Sequence, residues 1–134
     1  MARKNVIKVE FDTPLTVLGI ASNEKIWKVV WGLNQELGLE LSSSNEDVSA
    51  HLELADLYTD SETDFNFDFS LFENTLQSRK VPPLARKFRF WLVIRQKRDT
   101  APDVTALLSQ LGKIDVVTLA HDLTQEKDIK KLLP

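Results

Sequence analysis

Cysteine is absent from this 134-residue chain, and its absence excludes several classes of protein. Without thiols the chain cannot form disulfides, bind metal through thiolates or use a cysteine nucleophile, so it is not a cross-linked secreted scaffold. A reducing compartment suits such a chain, and we expect it to be cytoplasmic. Residues 6–11 contain Lys8 and Glu10, so they do not form the apolar segment of a signal peptide.

Long hydrophobic runs are missing as well. The most apolar stretch, residues 88–94, is short and contains Arg89. A membrane-spanning helix needs roughly 18 or more consecutive apolar residues, so we expect no membrane span.

Glycine and histidine are too few to form the familiar catalytic and binding motifs. The 4 glycines form neither a phosphate-binding loop nor a dinucleotide-binding fingerprint, and no Gly-x-Ser-x-Gly motif occurs. His51 and His121 are the 2 histidines, and neither has the spacing of a metal triad. The sequence therefore predicts no catalytic residue, no bound cofactor and no metal site.

The acidic residues that alternate from Asp60 to Asp68 resemble the start of a calcium-binding loop. A calcium loop requires glycine at its sixth position and glutamate at its twelfth, and here these positions hold Phe65 and Leu71. The pattern therefore favours a solvated strand edge over a calcium site.

The composition is that of a globular protein, with 43% hydrophobic and 28% charged residues, and predicts a single domain over residues 1–134. Apolar residues at every second position predict strands within residues 5–11, 48–57, 65–71 and 88–94. Helical spacing predicts one helix from Ser22–Glu24 to Gly38 and a second over residues 103–111. Residues 113–120 are rich in strand-forming types, and residues 122–133 suit a short terminal helix. This order predicts an α+β two-layer sandwich, a mostly antiparallel sheet with helices packed on one face.

Charges of opposite sign are separated along the chain. Residues 46–74 contain nine acidic and no basic residues, whereas residues 75–98 contain eight basic and no acidic ones. One interpretation is a phosphate-binding patch in the basic segment 79–98. The other is that Asp68 and its acidic neighbours lie across two antiparallel strands from Arg89 and Arg95. The formal net charge of -3 makes nucleic acid an unlikely partner and favours the second interpretation.

Three aromatic side chains are candidates for binding. Trp27 and Trp31 lie one helical turn apart, and with Asn34 they are candidates for a pocket between helix and sheet. Core packing is the favoured alternative for both rings. Trp91 alternates with Phe90 and Leu92, so it faces the other side of its strand. Either a helix covers that side, or Trp91 marks a partner interface with Arg89 and Arg95.

The segments 18–22 (Leu-Gly-Ile-Ala-Ser), 31–34 (Trp-Gly-Leu-Asn) and 83–90 resemble the bacterial IPExxxVDY family. Pro83, Phe88 and Phe90 stand at the Pro, Val and Tyr positions of that motif. The Ile, Glu and Asp positions hold other residues, which are Pro82, Leu84 and Arg89. The resemblance implies a small bacterial cytoplasmic protein of a family without an assigned activity, and it transfers no functional residue.

Three functions are compatible with these patterns. A good core and charged surfaces without a catalytic constellation favour a non-enzymatic protein-interaction module, with an unknown protein or a second copy as partner. The alternatives are a small-molecule-binding protein or enzyme with a pocket near Trp27, and nucleic-acid binding through the basic segment 79–98.

Overall fold

The structure, a computed structural model, describes residues 14–43, 57–74, 83–126 and Ile129. These residues form a six-stranded sheet and two α-helices, which confirms the predicted α+β fold with both helices on one face of the sheet. The elements in chain order are β1 (Leu15–Ala21), α1 (Ile26–Leu37), β2 (Ser42–Ser43), β3 (Leu57–Asp60), β4 (Phe67–Glu73), β5 (Phe90–Gln96), α2 (Val104–Leu111) and β6 (Leu119–Asp122). A 3₁₀ turn at Ala85–Lys87 precedes β5.

The sheet is antiparallel throughout, with the strand order β2-β3-β4-β5-β1-β6. Strand β1 lies between β5 and β6, and it was not predicted as a strand. Five of its seven residues, Thr16–Ile20, are buried on both faces of the sheet, so its sequence shows no apolar–polar alternation. A short continuous apolar run with a glycine inside it does not distinguish a strand from other buried segments.

Both helices are close to their predicted bounds. Gly38 ends α1 in the left-handed conformation at φ 66°, as predicted, because glycine has no Cβ to clash there. The start of α1 differs from the predicted one, because Ser22 and Glu24 form a turn before the helix, which begins at Ile26. In that turn the Ser22 hydroxyl accepts a hydrogen bond from the Glu24 N–H. Helix α2 begins after Asp103, whose carboxylate accepts the Ala106 N–H at 3.1 Å.

The main core lies between the helices and one face of the sheet. Helix α1 contributes one side of its surface to this core, through Ile26, Val29, Val30 and Leu33. The facing strands contribute every second residue, which in β5 are Phe90, Leu92 and Ile94. Helix α2 contributes one fully buried side chain, Leu111, and its other apolar residues are partly buried.

A second hydrophobic cluster covers the opposite face of the sheet. It consists of buried residues from the strands, from the segment around the 3₁₀ turn and from the chain after β6, namely Val17, Phe72, Ala85, Phe88, Trp91, Val93, Leu123 and Ile129. The Trp91 side chain is fully buried, its ring packs edge-on to Phe72, and its indole N–H donates to the Ala85 carbonyl at 3.3 Å. The orientation predicted for Trp91 is confirmed, but the candidate interface at this residue is wrong in this fold, because another segment covers the ring.

The remaining sequence predictions have mixed outcomes. The strands predicted at 65–71 and 88–94 are present two residues further along, as β4 and β5. The strand predicted at 5–11 and most of that at 48–57 lie outside the described residues. Half of the predicted terminal helix also lies outside them, and its described start is wrong, because Asp122 ends β6 and residues 123–126 form no α-helix. Within the described part of the chain, no helix is both long and apolar enough to cross a membrane.

Gly19 sits where the second cluster approaches the sheet most closely. A Cβ at this position would lie 2.5 Å from Cγ of Phe88 and 2.8 Å from Cδ1 of Leu123. We expect Gly19→Ala to lower the free energy of unfolding by about 1–3 kcal/mol, because Cγ is the fixed root of the Phe88 ring. Urea unfolding of the purified variant measures this. The control is Gly112→Ala, whose Cβ would have no contact under 3.5 Å and which we expect to unfold at the same urea concentration or higher.

Candidate functional site

Two tryptophans are exposed side by side on helix α1. Trp27 exposes 57% and Trp31 66% of its surface, because the apolar side of α1 that faces the sheet is already filled by four aliphatic residues. The interpretation of these rings as core packing is therefore wrong. Exposed tryptophans one turn apart form an apolar surface with no contact to the core of the sheet.

The tryptophans border two adjoining depressions of about 220 and 310 Å³. Both are lined by Lys28, Trp31 and Val116, so they form one concave surface between α1 and the chain that follows α2. At the floor of this surface α1 packs closely on Ile114, since a Cβ added at Gly32 would lie 2.6 Å from Cγ2 of Ile114. We call Trp27, Trp31 and Val116 the tryptophan surface. It faces outward from α1 and does not lie between helix and sheet, where the sequence analysis placed the pocket.

Charged and polar groups surround the tryptophan surface. Lys28 forms an ion pair of 3.0 Å with Glu24, one turn earlier, and its ammonium lies 5.6 Å from the centroid of the Trp27 ring. The rest of the rim carries both signs of charge, with Gln35, Glu36, Lys113 and Asp115 lining the 220 Å³ depression along α1. Lys28 and Lys113 stand against three carboxylates, Glu24, Glu36 and Asp115, so the rim carries both signs with a small negative excess.

Asn34 does not belong to this surface. Its side-chain amide donates to the Leu41 carbonyl at 3.2 Å, and its carbonyl oxygen accepts the Leu41 N–H at 2.9 Å. Both polar atoms of the amide therefore hold the chain that leaves α1. The candidate pocket of Trp27, Trp31 and Asn34 is wrong in its third member, because Asn34 acts within the fold.

The segregated charges pair across the sheet, as one interpretation of the sequence predicted. Asp68 on β4 lies opposite Arg95 on β5, and Arg89 donates from Nε to Glu73 at 2.8 Å. Lys97 also approaches Asp68, at 3.7 Å, which is an ion pair but too long for a hydrogen bond. Arg89 and Arg95 sit at opposite ends of β5, with buried Trp91 between them, so these three candidates share no common surface.

A second, polar depression of about 290 Å³ lies beside Asp60, at the end of β3. Asp60 is 7% exposed, and its carboxylate accepts three backbone N–H groups, from Glu40 at 2.8 Å and from Glu62 and Thr63 at 3.1 Å. Burial by itself raises the pKa of this carboxyl, but hydrogen bonds from the Thr63 side chain and the three N–H groups outweigh burial and lower the pKa to about 2. The Asp60 carboxylate thus holds its own loop and the start of the segment after α1.

Among the described residues, no three His, Asp or Glu side chains come close enough together to hold a metal ion. The His121 ring stacks on Phe88, with the centroids 6.0 Å apart. His51, Arg79 and Lys80 lie outside the described residues.

Comparisons with protein-family models, with curated proteins and with solved structures found no match to this chain. The tryptophan surface and the Asp60 depression are therefore interpreted from their own geometry.

The hydrogen bonds to Asp60 make stability depend on pH. The pKa of this carboxyl is about 2 in the folded chain and ordinarily 3.8, so its contribution is complete above about pH 4 and disappears as the pH falls through about 2. We expect Asp60→Asn to lower the free energy of unfolding at pH 7 by about 2 kcal/mol. Urea unfolding at pH 7, 4 and 2.5 should show the difference from the wild-type chain shrinking with acidity. The exposed Asp99→Asn change is the control, with an expected effect under about 0.5 kcal/mol. A constant difference across these pH values would contradict the prediction.

Proposed function

We propose that this chain is a non-enzymatic protein-interaction module of the cytoplasm, and that the tryptophan surface is its contact surface. The observation that carries the proposal is the pair Trp27 and Trp31, both more than half exposed on one side of α1. The lack of cysteine supports a reducing compartment. Membership of the bacterial IPExxxVDY family, proposed from the sequence resemblance, adds no activity to this picture.

Two tryptophans that are more than half exposed contribute less to the stability of the isolated chain than buried rings would, but they contribute strongly when a partner covers them. A tryptophan buries about 150–250 Å², so the two rings still expose roughly 250 Å² together. At about 25 cal/mol per Å² their burial is worth about 6 kcal/mol before the costs of association. Tryptophan is also enriched among the residues that dominate binding energy at protein interfaces.

Binding of a small molecule at the same place is the second candidate, and the geometry supports it less well. Ligand pockets usually enclose about 300–1,000 Å³ and hold a few polar groups in fixed positions. Here the polar side chains on the rim, among them Lys28, Gln35 and Lys113, are exposed and can rotate in solvent. The only buried lining residues of the 220 Å³ depression are Gly32 and Ile114, which offer no side-chain hydrogen bond.

Nucleic-acid binding through the basic segment has less support still. Arg86, Lys87 and Arg89 precede β5, whereas Arg95 ends it and further basic residues follow. At about 3.3 Å per residue, the buried strand separates these two groups by about 20 Å. Arg89 pairs with Glu73, and the chain carries a formal net charge of -3. Neither observation favours a continuous phosphate-binding surface.

The proposal predicts that replacing both exposed rings abolishes binding without unfolding the chain. We expect a Trp27→Ser/Trp31→Ser variant to keep the wild-type urea midpoint, because neither ring packs in the core. Wild-type and variant chains are immobilised and exposed to extract from the source cells, and the bound proteins are quantified by mass spectrometry. We expect at least one protein to be retained by the wild-type chain and reduced about 30-fold or more with the variant.

The matched control is Phe65→Ser, which removes another exposed ring, 69% exposed and stacked under Arg98 at 3.5 Å. It should retain the same proteins as the wild-type chain. Equal recovery with all three chains would contradict the proposed surface.

A metabolite that raises the melting temperature of the wild-type chain but not of the double-serine variant would favour the small-molecule alternative. Turnover of any metabolite would overturn the non-enzymatic assignment.

A further inference from the structure

We draw no further inference here: the strongest candidate, the concave apolar patch that Trp27, Trp31 and Val116 form on the outward side of α1, carries none beyond the proposed contact surface because nothing in the structure shows what covers it.

Discussion

The close packing of Phe88 on Gly19 is the contact on which the cover of the sheet's second face depends. Strand β1 can accept the Phe88 ring only because Gly19 has no side chain there. With the ring seated, the 3₁₀ turn at Ala85–Lys87 lies over β5, and the Ala85 carbonyl accepts the buried indole N–H of Trp91. The sheet thus has a hydrophobic cluster on each face, and the central strands β5 and β1 are buried from both sides.

Burial on both faces also explains which parts of the fold could be predicted from the sequence. Strand β4 was found from alternation, and Gly38 and Asp103 bounded the helices, because these signals are local. Strand β1 was missed because a strand covered on both faces loses its alternation. Whether Trp91 is buried depends on which segment covers its face of the sheet. The residue spacing within one strand does not reveal that tertiary contact.

Both tryptophans were identified from the sequence as candidates for binding but not as exposed residues, although the geometry of the helix indicates their exposure. At 100° per residue, Trp27 and Trp31 lie about 110° and 150° from the centre of the apolar side formed by Ile26, Val29, Val30 and Leu33. That angle indicates solvent exposure, so a helical projection identifies both rings as surface residues. Val116 could not be found in this way, because it reaches the surface from the chain after α2 through the contact of Ile114 with Gly32.

The sorted charges matter for function mainly because they are used within the fold. Asp68 lies opposite Arg95 and Arg89 binds Glu73, so part of the separation seen along the chain becomes pairing across neighbouring strands. Asp60 instead holds its own loop through backbone N–H groups. Exposed pairs of opposite charge each contribute only a few tenths of a kcal/mol to stability. Like charges placed opposite each other on adjacent strands would be unfavourable, so the charge pattern favours one strand register. Helix α1, at Ile26–Leu37, lies outside both strongly charged segments of the sequence. The one large exposed aromatic pair of the described residues, Trp27 and Trp31, sits on a surface that carries both signs of charge, where burial of apolar area rather than long-range attraction would drive association.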